Sequence, residues 1–201
     1  SKQILTLSPS IIVLVDNTEL NLFNIHNELK DLVKKEDLNT KLITSLISIC
    51  DIDGTRTLFN RYRPKYVFHA AAYKHVSIVE NNILPAMRNN VFGTLNIVNL
   101  VKEFKTEYFT LISTDKAVRP SNIMGSSKRI AELITQNIAL NENDNLNTEF
   151  SIVRFGNVFG SSGSVIQLFK KQIDNGGPVT ITDKNASRYF MSISEAVSLV
   201  I

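Results

Sequence analysis

STDKAVRPSNIMGSSK, residues 113–128, is the stretch that decides the fold. The run before it, Tyr108 to Ile112, has the short, branched and aromatic character of a buried strand. Pro120 then breaks the chain, and Ser121 or Asn122 can cap a helix continuing through Ile123, Ser127, Ile130 and Ile134. Thr114, Asp115 and Lys116 therefore fall at the carboxyl end of a strand, the edge where open α/β sheets bind ligands. Met124 and Lys128 stand four residues apart, so they share one helix face. A hydroxyl, a carboxylate and two amines converge on one crevice. Thr-Asp-Lys by itself is equally compatible with a polar loop; Lys128 and the rest of the chain weigh against that.

Working outward, the same alternation continues in both directions. Upstream, Ser1 to Leu7 has the pattern of a helix end stopped near Pro9, and Ile11 to Val15 that of a strand closing at Asp16. Leu20 to Leu32 has helical spacing, with Leu20, Phe23, Leu29 and Leu32 expected to face the core. A polar loop, Lys34 to Thr40, leads to a strand pattern from Leu42 to Ile49 that ends at Asp51. Gly54 to Tyr62 is a short helix pattern, Tyr66 to His69 a strand, and Leu84 to Phe104 a long helix containing Gly93. Downstream come a strand from Phe150 to Arg154, a Gly/Ser loop from Gly156 to Ser164 and a helix from Val165 to Ile173. A short strand from Val179 to Thr182 and a last helix capped by Ser194 complete the expectation. Strands separated by helices indicate βαβ units, right-handed crossovers and a doubly wound, Rossmann-like parallel sheet of the α/β class. Such a fold opens with a strand and a Gly-rich turn that cradles a pyrophosphate. Neither is found upstream of Ile11, so the sequence reads as a fragment cut inside the first helix and again inside the last, and inactive by itself.

Composition narrows the function. The 201 residues are 43% hydrophobic and 20% charged, enough for one sizeable core. A net charge of +3, scattered along the chain, offers no basic stripe for nucleic acid. The single cysteine, Cys50, beside an apolar run, reads as a buried small residue and rules out an internal disulfide. No apolar run reaches the roughly 18 residues of a membrane span, so no membrane contact is expected within this stretch. A cytoplasmic location fits the reducing compartment this implies. With three histidines and no clustered spacing, no metal site is expected.

Other residues have chemistry to offer at the same sheet edge. A carboxylate at Asp16, closing the strand of a nucleotide-binding half, can accept from a ribose diol; with no Arg directly after it, it favours NAD over NADP. Asp51 can meet an adenine edge or simply cap the next helix. Ala70, Ala71 and Ala72 let the backbone approach a flat ligand, although tight helix–sheet packing explains them as well. Tyr73, Lys74 and His75 add polar groups beside them. RFGNVFGSSGS, residues 154–164, can present backbone N–H groups to a diphosphate, with Asn157 adding an amide, while Arg188 is a candidate cation for the same group.

Taken together, the residues resemble a known family. STDKAVRPSNIMGSSKR looks like the active-site stretch of the UDP-N-acetylglucosamine 4,6-dehydratases of polysaccharide biosynthesis, within the extended short-chain dehydrogenase/reductases. VDNTELNLFNIHNEL, YVFHAAAYKHV, NNVFGT, VRFGNVFGSSGSVI and GGPVTIT with SRYFM are similar to the same family, in its order. The resemblance implies that residues 1–155 bind NAD and 156–201 form part of the nucleotide-sugar site. It implies a UDP-GlcNAc substrate, oxidation at C4, loss of water across C5 and C6 and reduction at C6. By the same resemblance Thr114 bonds the sugar 4-oxygen, Asp115 protonates the departing hydroxyl, Lys116 takes the C5 proton and Lys128 holds the nicotinamide ribose. Asp16, Asp51, Ala70, Ala71, Ala72 and Asn90 fall with the cofactor-binding positions. Lys74, Asn157, Ser164 and Arg188 fall with the substrate. Met124 stands where the wider family has a tyrosine base, a variant known in one branch, and leaves open which group takes the 4-hydroxyl proton. Acid action by Asp115 requires a raised pKa, and base action by Lys116 a neutral amine. A homo-oligomer is implied, and some relatives add an N-terminal membrane region. A 4-epimerase, which needs no elimination, and a non-catalytic binding module are the alternatives.

Overall fold

The computed structural model describes residues 2–140, 148–159, 165–181, 183–185 and 187–201. Along the chain run α1 (Lys2–Leu5), β1 (Ile11–Asp16), α2 (Glu19–Lys35), β2 (Lys41–Leu46), α3 (Ile52–Tyr62) and β3 (Tyr66–His69). Then come α4 (Val76–Glu80), α5 (Ile83–Met87), a π-helical turn (Arg88–Phe92), α6 (Gly93–Glu103) and β4 (Tyr108–Thr114). A 3-10 turn (Asp115–Ala117) leads to α7 (Ile123–Leu140), β5 (Glu149–Phe155), β6 (Asn157–Val158), α8 (Val165–Asp174), β7 (Phe190–Met191) and α9 (Ile193–Ser198).

All strand pairs described are parallel: β1 with β2, β4 between β3 and β5, and β6 with β7. Parallel neighbours need crossovers, and α2, the α4–α6 run and α7 supply them. The fold is the expected α/β, Rossmann-like one. Its core gathers around β4, where Phe109 and Leu111 are fully buried against Ile97, Val98, Leu100 and Val101 of α6 and Ala131 of α7. Among the described residues the β1–β2 pair shares no ladder with β3–β4–β5. It is joined to them through the loop after β2. Ile49 is buried in the β4 core, packed so tightly on α6 that a Cβ on Gly93 would fall 2.5 Å from Ile49 Cδ1. Arg56 of α3 reaches Glu103 of α6 at 3.0 Å.

Several expectations need correction. On α2 it is Leu22 and Leu29 that are buried, whereas Leu20 and Phe23 are 65% and 63% exposed. The stripe facing β1 and β2 is displaced from the one chosen by spacing alone. Cys50 is exposed, its thiol 3.4 Å from the Arg88 carbonyl, because β2 ends at Leu46 and the chain has already turned outward. The long helix from Leu84 is interrupted by the π-helical turn, which buries Asn89 and Asn90. No strand forms over the described residues 179–181; Gln172 instead bonds Thr180 at backbone and side chain. The last helix is capped by Ser192, not Ser194, in a reciprocal capping box with Glu195.

Candidate active site

Thr114 ends β4, and the chain tightens at once into the 3-10 turn. The Thr114 hydroxyl donates to Asp115 Oδ1 at 2.9 Å. Lys116 Nζ donates to the same oxygen at 3.0 Å and to Asn157 Oδ1 at 3.2 Å. Asn157 is held in turn by its backbone N–H, which donates to the Tyr189 carbonyl at 3.1 Å. The turn is pressed against the start of α7, so that a Cβ on Gly125 would overlap the Lys116 carbonyl. Only a glycine lets helix and turn approach this closely.

Charge in this turn differs from the sequence expectation. Burial alone pushes the Asp115 carboxyl up, but hydrogen bonds from Lys116 and Thr114 and the Lys116 charge outweigh it. The carboxyl is therefore held below its usual value, as the anion of an ion pair, rather than raised into a standing acid.

On α7, Asn122 Oδ1 accepts from the Gly125 N–H at 2.8 Å, which caps the helix as one of the two expected residues. Lys128 is buried, and Nζ donates to the Ile112 carbonyl at 2.5 Å. Burial pushes its ammonium down to about 8, against the opposing field of Glu132. Met124 is 4% exposed and packs with Val79 and Ala86 in an apolar cluster.

The remaining positions differ in how free they are. Asp16 ends β1 with Oδ1 accepting from the Thr18 N–H at 2.8 Å and Oδ2 from Asn21 at 3.4 Å. Asp51 caps α3, accepting from the Gly54 N–H at 3.0 Å. Ala70 and Ala71 follow β3 exposed, and Ala72 is half-buried. Lys74 is exposed. Asn90 sits in the π-helical turn with its amide engaged: it accepts from the Tyr73 N–H at 2.8 Å and donates to the Tyr73 carbonyl and Ser127 hydroxyl, both at 3.0 Å. It thereby ties the Ala70–Lys74 loop to α7. Arg188 is exposed, donating to the Ser187 carbonyl at 2.7 Å. Ser164 lies outside the described residues. Thr114, Asp115, Lys116 and Asn157 thus form one hydrogen-bonded group, with Lys128 held at β4 behind it; Asp16 and Asp51 stand at other strand ends.

Sequence reasoning passed over two buried groups. His69 Nε2 lies 2.9 Å from Thr94 Oγ1, and since that hydroxyl donates to the Asn90 carbonyl, the ring nitrogen is the donor. Glu132, fully buried, accepts from Ser113, Arg129 and Arg154. A charged residue one turn after Lys128, amid Ala131, Leu133 and Ile134, was the available signal. Among the described residues no three His, Cys, Asp or Glu gather as a metal site, and no helix is long and apolar enough to cross a membrane.

A family model described as polysaccharide biosynthesis protein matches residues 1–201. The chain belongs to that family. The capsular polysaccharide biosynthesis protein CapD of Staphylococcus aureus is 44% identical over 200 residues, which is 100% of this chain and 32% of CapD. A UDP-glucose 4-epimerase of Rickettsia canadensis is 34% identical over 94% of this family member and 54% of the epimerase. An inverting UDP-N-acetylglucosamine 4,6-dehydratase of Campylobacter jejuni is 36% identical over 68% of this chain and 41% of the enzyme. The family member described here thus spans about a third to a half of those relatives. Among solved structures, Pen from Bacillus thuringiensis superposes with a TM-score of 0.87 at 32% identity, over 98% of this chain and 60% of Pen. The UDP-glucose 4-epimerase of Thermus thermophilus, solved with NAD, has a TM-score of 0.72 at 17% identity, over 94% of this chain and 74% of that one. At that identity it speaks for the fold alone.

Proposed function

We propose that the protein is an NAD-dependent nucleotide-sugar 4,6-dehydratase acting on UDP-GlcNAc in surface-polysaccharide biosynthesis. The observation that carries this reading is the Thr114–Asp115–Lys116 group at the end of β4, with its hydroxyl, carboxylate and amine in one hydrogen-bonded chain. An epimerase moves a proton at the 4-oxygen; elimination across C5 and C6 also needs a base and an acid side by side. The Asp115–Lys116 ion pair contains both in a single shared proton. Moving that proton from Nζ to Oδ1, 3.0 Å away, yields a carboxylic acid and a neutral amine with no change in net charge. A sugar that closes over the pair excludes water, and desolvation disfavours the two charges relative to the neutral pair. Lys116 then accepts the C5 proton, and Asp115 gives its proton to the departing C6 hydroxyl, which leaves as water. Once the Asp115 carboxyl is protonated, the Thr114 hydroxyl is free to turn from it and donate toward the 4-oxygen, and Asn157 keeps Lys116 aimed.

The residues fit NAD. Asp16 has carboxylate lone pairs to spare for a ribose diol, and the exposed Ala70 and Ala71 offer backbone without side-chain obstruction. Lys128 supplies a buried amine at the nicotinamide end. When bound, NAD supplies the reversible oxidation of the sugar. In this reading residues 1–155 hold the cofactor, Lys74 and Arg188 meet the nucleotide sugar, and the protein works as a homo-oligomer.

The test is incubation of the complete protein with UDP-GlcNAc and NAD, followed by NMR of the sugar. A 4-keto-6-deoxy product is expected. A C4 epimer with no loss of water would replace this reading with the epimerase one, which the Rickettsia relative favours.

A further inference from the structure

Glu132 plays no part in the reaction above, yet it is a fully buried carboxylate with a full set of partners. Ser113 Oγ and Arg154 Nε donate to Oε1 at 2.5 and 2.8 Å, and Arg154 Nη2 and Arg129 Nη1 donate to Oε2 at 2.5 and 2.9 Å. Its partners lie where the site is built. Ser113 immediately precedes Thr114, and Arg154 stands beside Ser113 in the β4–β5 register. Three residues after Arg154 comes Asn157, which holds Lys116. Lys128 precedes Glu132 by four residues on the same helix, so both lie on one face of α7. A buried ion pair is in general a weak source of net stability, and in some proteins it is retained because it fixes register.

We propose that Glu132 is a positioning residue: by gripping Ser113 and Arg154 it sets α7 against the ends of β4 and β5, so that Lys128, Thr114 and Lys116 meet in one geometry. The inference rests on the reading of this site as catalytic. The charge of Glu132 has a second effect, since it opposes the downward push of burial on Lys128. Among the described residues the titratable groups whose charge interacts with Lys128 are Glu132 on α7 and His69 on β3, while β4 presents the Ile112 carbonyl.

The experiment compares Glu132→Gln, Glu132→Asp and Arg154→Lys with wild type in the complete protein. It reads circular dichroism, KM, kcat and the pH–rate profile with whichever nucleotide sugar the wild type converts. For folded Glu132→Gln, kcat should fall about 100-fold, the scale of a small misplacement, with KM little changed. The limb of the profile owed to Lys128 should move to lower pH. Glu132→Asp keeps the charge but not the reach, so it should restore that limb while kcat stays at least about tenfold low. A kcat within about threefold of wild type in folded Glu132→Gln overturns the proposal, as does a loss of kcat with no movement of the limb. If Glu132→Gln does not fold, Arg154→Lys decides: a lower kcat at constant KM supports the proposal, and an unchanged kcat overturns it. A wild type that only epimerises its substrate overturns the dehydratase assignment and leaves these readouts valid; one that converts no nucleotide sugar overturns both.

Discussion

Asp115 and Lys116 are neighbours on the 3-10 turn that follows β4. Adjacent residues on a tight turn can bond to each other, and that bond is what holds the Asp115 carboxyl low. Asp115→Asn and Lys116→Ala should each cut turnover by about 100-fold or more, the usual scale for a general acid or base. Both should leave NAD affinity nearly intact, measured by calorimetry; turnover within about tenfold of wild type would remove them from these roles. Met124 is different in kind. Its thioether packs with Val79 and Ala86 and has no proton to exchange. Met124→Leu should therefore cost under about 1.5 kcal/mol in a denaturant titration and keep most of the activity. Lys128→Ala should lose activity far more severely, and equal losses would give Met124 a specific role. Spacing could place Met124 and Lys128 on one helix face, but not show that one enters a core cluster and the other reaches a strand carbonyl.

At the scale of elements, α7 and β3 bring titratable groups into the interior. Burial drives the His69 imidazole down to about 3, with the Lys128 charge adding to the shift. For Glu132, burial pushes up, but the bonds from Arg154, Ser113 and Arg129 pull it down to about 2. Both folded values lie below the ordinary ones, so the unfolded chain binds more protons and stability is lost as the pH is lowered. The His69 loss runs from pH 6.5 down to about 3, and the Glu132 loss from 4.5 down to about 2. Within its window each group costs up to about 1.4 kcal/mol per pH unit. Urea midpoints should accordingly drop steadily below pH 6.5, and Glu132→Gln should flatten the part below pH 4.5. A midpoint constant from pH 6.5 to 4.5 would show His69 to be protonated in the folded protein. Most elements themselves were legible, because β3, β4 and α7 have strong periodicity bounded by Pro64 and Pro120. The π-helical turn was not: i, i+3, i+4 spacing does not register one extra residue in a turn.

At the scale of the whole molecule, the β1–β2 pair and the β3–β4–β5 sheet share no ladder among the described residues, and Ile49 after β2 enters the core around β4. Among the described residues β4 has a partner on each side, whereas β1 and β3 each have one. Hydrogen exchange on the 201-residue chain should therefore leave the amides of Thr110 to Ile112 slowest, with alternate amides of β1 and β3 exchanging much faster. Equal protection in all three strands would mean that something covers those edges. The alternation of strands and helices announced the sheets, but the way they are joined depends on Ile49 finding Gly93, a contact between distant residues that no local pattern encodes. Beside that joint stands Cys50, the only thiol in the chain and open to solvent. A maleimide dye would consequently attach at one place, on the seam between the two sheets. Paired with a second fluorophore introduced on β5, it would turn their separation into a distance that can be watched in solution, with no cysteine to remove beforehand.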